Sequence, residues 1–194
     1  MFAESVMVIN RIVATRIEGR GITHGMEDFV EFATAAVPRL RRTAFLLCGD
    51  WHMAEDLAQT TLTKMFVSWR RIRRQDAAFS YASRTLVNTY IADKRARRSS
   101  EVVTDVLPES LVMPETPETR LVVMAALATL APRARAVVVL RYWADMSVEQ
   151  VAEVLGCSPG TVKSQSSRAL EKMKAVLSGD TGPDGSAREV RRRG

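Results

Sequence analysis

The stretch SVEQVAEVLGCSPGTVKSQSSRALEKMKAVL, Ser147 to Leu177, decides the reading of the fold. Two helical patterns meet in it, Val148 to Leu155 and Pro159 to Leu177, and each joint carries a residue with a physical reason to be there. Ser147 offers a hydroxyl to the unpaired N–H groups that open the first helix. Gly156 supplies the left-handed backbone that closes it. Ser158 can cap the second helix, and Pro159 falls at its first position, where a missing N–H costs nothing. Two short helices joined by such a turn form a helix-turn-helix signature.

At about 100° per residue, the second helix of this pair places Val162, Ser166, Ala169, Leu170, Met173 and Leu177 along one face, the expected core side. The opposite side carries Gly160, Lys163, Ser164, Ser167, Arg168 and Glu171, with Thr161 at the margin. Lys and Arg reach phosphates or guanine edges, hydroxyls suit either, and glycine permits close approach of the backbone. Ser158, Gly160, Thr161, Lys163, Ser164, Ser167 and Arg168 are therefore the residues expected to face duplex DNA. A solvated amphipathic helix would carry similar charges; the preceding turn is what favours DNA.

Upstream, two more helical patterns run from Glu118 to Leu130 and from Arg133 to Trp143. Before them the composition changes abruptly. Between Arg98 and Arg120 there is no Lys or Arg, while Glu101, Asp105, Glu109, Glu115 and Glu118 are acidic and Pro108, Pro114 and Pro117 interrupt the chain. Prolines hold a chain extended and like charges repel, so residues 99–118 are expected to form an extended acidic linker. A simple solvated tether fits the same composition.

From Met26 to Arg98 the spacing is helical throughout. Phe29, Phe32, Ala33, Ala36, Leu40, Ala44 and Leu47 mark a first helix, in which Pro38 is expected to force a kink or restart and Gly49 to close the end. Ala54, Leu57, Ala58, Thr61, Leu62 and Met65 mark the buried side of a second helix, about Met53 to Trp69. A third spans about Ala77 to Arg98. The expected fold is all-α: two small helical domains, residues 26–98 and 119–177, joined by the linker. Residues 1–25 and 178–194 are expected to be disordered extensions, the latter basic, and Met26 is a second candidate start.

Twenty-eight Lys and Arg against 22 Asp and Glu give a net charge of +6, which favours a polyanionic partner, nucleic acid first. No apolar run approaches the roughly 20 residues a bilayer crossing needs, so no membrane insertion is expected. Residues 1–25 lack the apolar segment and cleavage site of a signal peptide. Cys48 and Cys157 are the two cysteines, read as reduced buried thiols, and neither His24 nor His52 has a partner at ligand spacing. No metal or other cofactor is expected, and no phosphate loop or nucleophile constellation points to an enzyme.

With these residues in place a resemblance is visible. Leu130-Ala131-Pro132-Arg133, Leu140-Arg141-Tyr142-Trp143, Met146-Ser147 and Gly160-Thr161-Val162-Lys163-Ser164 resemble region 4 of the extracytoplasmic-function (ECF) sigma factors of the sigma-70 family. In the other half, Ala54-Glu55-Asp56-Leu57-Ala58-Gln59-Thr60-Thr61-Leu62 resembles their region 2 helix that grips the clamp helices of the polymerase largest subunit. Glu55, Asp56 and Gln59 would face the polymerase. The family usually carries Glu and Phe where this chain has Thr60 and Leu62, and a Trp where it has Tyr81. Val87-Asn88-Thr89 matches the segment that reads an unpaired base of the minus-ten element. The resemblance spans about residues 27–177 and is nearest the SigE-like subgroup of actinobacteria.

The resemblance implies a sigma factor that directs core RNA polymerase to promoters. Region 4 would read the minus-thirty-five duplex and dock on the flap of the second-largest subunit, while region 2 would bind core and melt and read the minus-ten element. It further implies cytoplasmic action with the polymerase on the nucleoid and, in many members, an anti-sigma factor. The linker would thread toward the active centre and the RNA exit path.

The residues agree with this. Unpaired bases are held by aromatic stacking and edge hydrogen bonds over a basic groove. Here Phe79, Tyr81 and Tyr90, with Asn88 and Thr89, stand among Arg84, Lys94, Arg95, Arg97 and Arg98. Phe79 and Tyr81 also fit as core residues of a third helix, and the basic run as its solvated end. A helix-turn-helix regulator acting without polymerase is the competing function. A helical adaptor that binds only protein would leave the basic groove unexplained.

Overall fold

The computed structural model describes residues 23–72, 75–97 and 117–178. The linker at 99–116, nearly all of both terminal extensions and Arg98 lie outside the described residues. Among the described residues there is no strand. We number the helices α1 (Thr23–Cys48), α2 (Trp51–Ser68, followed by a 3₁₀ turn at Trp69–Arg71), α3 (Gln75–Arg97), α4 (Pro117–Ala128), α5 (Pro132–Val138, continued by a π turn at Val139–Trp143), α6 (Val148–Leu155) and α7 (Pro159–Leu177).

α1 runs through Pro38 without a restart, one of the two outcomes expected of a proline there. Pro38 is exposed, and the carbonyl it deprives of a helical donor belongs to Thr34, also exposed, so water can replace the lost bond. Gly49 closes α1 at φ +79°, and Asp50 caps α2 by accepting from Met53 N at 2.7 Å. Ala54, Leu57, Ala58, Thr61, Leu62 and Met65 are all buried, as their spacing predicts. Phe29 packs against Phe66 and Trp69, each with ring centroids 5.2 Å apart, and so ties the start of α1 to the end of α2.

In the C-terminal unit Ser147 does more than cap. Its hydroxyl accepts from Gln150 N at 3.1 Å while Gln150 Oε1 accepts from Ser147 N at 2.7 Å, a reciprocal capping box. Gly156 lies at φ +59°, and Ser158 Oγ accepts from Thr161 N at 3.1 Å. On α7, Val162, Ser166, Ala169 and Met173 are buried, but Leu170 and Leu177, expected on the core side, are 39% and 47% exposed. Both lie at the edge of the buried arc, which the described residues leave uncovered.

The two units pack against each other, and their buried residues form one continuous apolar core. α5 and α6 both contact α3. The linchpin is Arg135 of α5, only 6% exposed, whose Nε donates to Leu46 O of α1 at 2.6 Å. Its guanidinium is also hydrogen-bonded to the Tyr90 hydroxyl of α3, and burial lowers its pKa. Burial likewise raises the pKa values of Tyr90 and Cys48, which line the same contact.

Candidate nucleic-acid interface

Two exposed faces carry the residues that sequence analysis singled out. The first is on α7, where the cap at Ser158 and Pro159 at the first position fix where the helix begins and packing against α4, α5 and α6 leaves one side outward. Ser158, Gly160, Lys163, Ser164, Ser167 and Arg168 are all exposed and Thr161 is half-buried. Several of the hydroxyls are engaged within the chain: Ser158 Oγ with Thr161 Oγ1 at 2.9 Å, Ser164 with Thr161 O at 3.0 Å, and Ser167 with Glu171 Oε1 at 3.3 Å. A Cβ at Gly160 would meet only Ser158 Oγ, at 3.8 Å, so the fold itself does not require glycine there.

Glu149, at the start of α6, adds an acid that sequence analysis did not use. Hydrogen bonds from its own N–H and from the Ser147 hydroxyl, then the nearby Lys163 and Arg141, hold its carboxyl below the usual carboxylate range. Lys163 thus sits in the field of a carboxylate brought close by the tight turn. Arg141 is itself anchored by a hydrogen bond from its guanidinium to Met146 O.

The second face is on α3. Its buried residues include Ala78, Ala82, Leu86, Val87 and Tyr90, and the packing of α1, α2, α5 and α6 around them leaves one free stripe. Tyr81, 40% exposed, Arg84, Asn88 and Arg95 form that stripe, at intervals of three, four and seven residues. Tyr81 is therefore on the surface rather than in the core, whereas Tyr90, expected beside it as a stacking aromatic, is buried with its hydroxyl against the Arg135 guanidinium and is not open to a base.

The other candidates fall elsewhere. Phe79 is half-buried on the far side of α3, with the Arg39 guanidinium 3.9 Å from its ring centroid, so one ring face is already covered. Thr89 is 9% exposed and its hydroxyl is used twice, donating to Thr85 O at 2.8 Å and accepting from Lys64 Nζ at 2.9 Å. Lys94 is half-buried on the side of α3 that approaches Cys48. The Arg97 side chain and Arg98 lie outside the described residues. Lys64 and Arg39 are the cations that sequence analysis missed. Their bonds to α3 span 25 and 40 residues of chain, distances that no local pattern encodes.

On α2, Asp56 and Gln59 are exposed on one side, three residues apart. Glu55 is half-buried and paired with Arg41 Nε of α1 at 2.6 Å. The three neighbours in sequence therefore differ in what they can offer a partner.

Two family models match the chain, sigma-70 region 2 over residues 32–100 and sigma-70 region 4 over residues 120–173. They fall on α1–α3 and α4–α7. The chain is 40% identical over 152 residues to the RNA polymerase sigma-E factor of Streptomyces coelicolor, a match covering 77% of this chain and 86% of that protein. It is 30% identical over 164 residues to the ECF RNA polymerase sigma factor EcfG of Rhodopseudomonas palustris, covering 80% of this chain and 91% of that one. Among solved structures, the sigma factor RpoE in its co-crystal with the anti-sigma factor NepR from Bartonella quintana matches with a TM-score of 0.69 at 25% identity, over 79% of this chain and 99% of that chain. With both regions matched, a helix-turn-helix regulator acting without polymerase is not favoured. The chain belongs to the extracytoplasmic-function branch of the sigma-70 family of RNA polymerase sigma factors.

Proposed function

We propose that this sigma factor divides promoter recognition between its two exposed faces. α7 enters the major groove of the minus-thirty-five duplex, with Lys163 and Arg168 as its cationic contacts, Ser164 and Ser167 as hydroxyl contacts, and Gly160 giving room for close approach. The α3 stripe takes unpaired bases of the minus-ten element, Tyr81 by stacking and Asn88 through its amide, with Arg84 and Arg95 on the phosphates. Asp56 and Gln59 of α2 meet the clamp helices of the polymerase largest subunit, and the C-terminal unit meets the flap of the second-largest. Ser158 and Thr161 serve the first face mainly by fixing the start of α7.

The observation that carries this reading is the α3 stripe. Tyr81 and Asn88 are an aromatic and an amide left open to solvent in a helix that is otherwise covered by four others. A helix that only supported a duplex-reading domain would have no use for them. Among the described residues no helix is long and apolar enough to cross a membrane, in keeping with action alongside polymerase in the cytoplasm. An anti-sigma factor is a further expected partner, as RpoE of Bartonella quintana was crystallised with one.

The test separates the two faces. Core polymerase and this chain would be assayed by filter binding on duplex promoter and by permanganate footprinting of unpaired thymines. Lys163→Ala and Arg168→Ala should weaken duplex binding by about 1 to 3 kcal/mol if they read bases, or reduce its salt dependence if they touch phosphates. Asn88→Ala and Tyr81→Ala should spare duplex binding and impair strand opening. A pre-melted bubble should lessen the Tyr81→Ala defect more than the Arg168→Ala defect. Equal loss of duplex binding in all four, with no help from the bubble, would overturn the division.

A further inference from the structure

Lys64 projects from α2 toward the edge of the α3 stripe. It is exposed, and its ammonium is held 2.9 Å from Thr89 Oγ1, one residue from Asn88. Because the Thr89 hydroxyl gives its own proton to Thr85 O, it meets Lys64 only as a neutral acceptor. Among the described residues no carboxylate is paired with this ammonium. The cation is thus fixed in place but not neutralised, with two of its three donors left over. An anchored lysine gives up less side-chain freedom on meeting a ligand than one that swings in solvent.

Its place relative to the stripe completes the argument. At about 100° per residue, Arg84 and Arg95 fall on one side of Asn88 and Tyr81, and Thr85 and Thr89 on the other. Arg84 and Arg95 therefore border the stacking and amide groups on one flank, and Lys64, held at Thr89, borders them on the second. A surface with an aromatic and an amide along its centre and cations on both flanks is the arrangement that tracks a single strand. We propose that Lys64 is a further DNA-binding residue, which holds a backbone phosphate of the strand whose unpaired bases meet Tyr81 and Asn88.

This rests on the assignment of the α3 stripe to the melted strand, and the experiment keeps the two apart. Full-length chain and core polymerase would bind a promoter selected by in vitro transcription from genomic DNA, with its minus-ten segment pre-melted, across a salt series. One lost phosphate contact on a single strand lowers the slope of log K against log salt by about 0.7, so between about 50 and 200 mM salt the Lys64→Gln variant should lose roughly 2- to 3-fold less affinity than the parent. Lys64→Arg, which keeps the charge, should restore the parental slope. A role confined to packing α2 on α3 would weaken binding with the slope unchanged and would not be rescued by Arg; that result overturns the proposal. Asn88→Ala, run beside it, reports on the stripe. If Asn88→Ala loses bubble binding and Lys64→Gln keeps the parental slope, only the Lys64 proposal fails. If neither changes anything, both fail, and if Lys64→Gln alone flattens the slope, the phosphate contact stands while base reading by Asn88 falls.

Discussion

The two faces proposed to read DNA are both helix sides, yet they are made in different ways. On α7 the start of the helix is set by the residues next to it in sequence, Ser158, Pro159 and the glycine-closed turn before them, and the helices it packs against, α4, α5 and α6, lie in its own unit. On α3 the outward side is whatever α1, α2, α5 and α6 leave uncovered. The α7 face should therefore survive changes elsewhere in the chain and fail when its own turn is altered. The α3 face should depend on the contact between the two units and be insensitive to the turn.

The largest expected effect falls on that contact. Arg135→Ala leaves Leu46 O and the Tyr90 hydroxyl without their buried partner, at a cost of about 3 kcal/mol. In urea, the parent should unfold in one transition and the variant in two. A single transition at the parental midpoint would break the comparison, since the units would then be coupled by something else. Cys48 supplies an independent readout. Burial raises the pKa of its thiol, so the parent should alkylate slowly at pH 8. Arg135 itself lowers that pKa slightly, but burial is the larger influence, and opening the contact relieves it. Alkylation of Arg135→Ala should accordingly be faster.

Next in size is a contrast within the helix-turn-helix. Gly156→Ala forces a side chain into a left-handed conformation and should cost about 1 kcal/mol, although nothing lies near its Cβ. Gly160→Ala, inside α7 with only an ordinary contact at 3.8 Å, should be neutral or stabilising by up to about 1 kcal/mol while weakening duplex binding. Thermal melts beside filter binding would measure both; the same sign of stability change in the two variants would contradict the local origin of this face. Ser147→Ala breaks the capping box and should cost about 1 kcal/mol in the same melts, with bubble binding through α3 left as it was.

The smallest effect concerns the pair Arg41–Glu55, in which both side chains are partly exposed. Glu55→Gln should lower stability by about 0.5 kcal/mol. Because Glu55 is engaged within the chain, this variant should weaken core-polymerase binding less than Asp56→Ala or Gln59→Ala, measured by co-purification with core. Equal losses in all three would mean that the pair opens when polymerase binds.

Much of this molecule was legible in its sequence, and for identifiable reasons. The buried side of α2 follows from spacing alone, because a helix of regular pitch must bury what recurs every three or four residues. The bounds of α6 and α7 follow from caps, since a serine hydroxyl or a glycine acts within three residues of itself. What failed were judgements that needed to know a neighbour. A restart of α1 at Pro38 does not occur, because solvent on its side lets the helix continue. Leu170 and Leu177 fit the core side by spacing, but among the described residues both stay exposed. Phe79 and Tyr81 looked alike in sequence, two residues apart and both aromatic, and the fold gives one a covering arginine and the other open solvent. Periodicity and capping are short-range and can be read from the chain. Whether a given side of a helix is covered depends on elements that lie 25, 40 or 89 residues away, and for α3 it is that covering which leaves the exposed stripe of Tyr81, Arg84, Asn88 and Arg95.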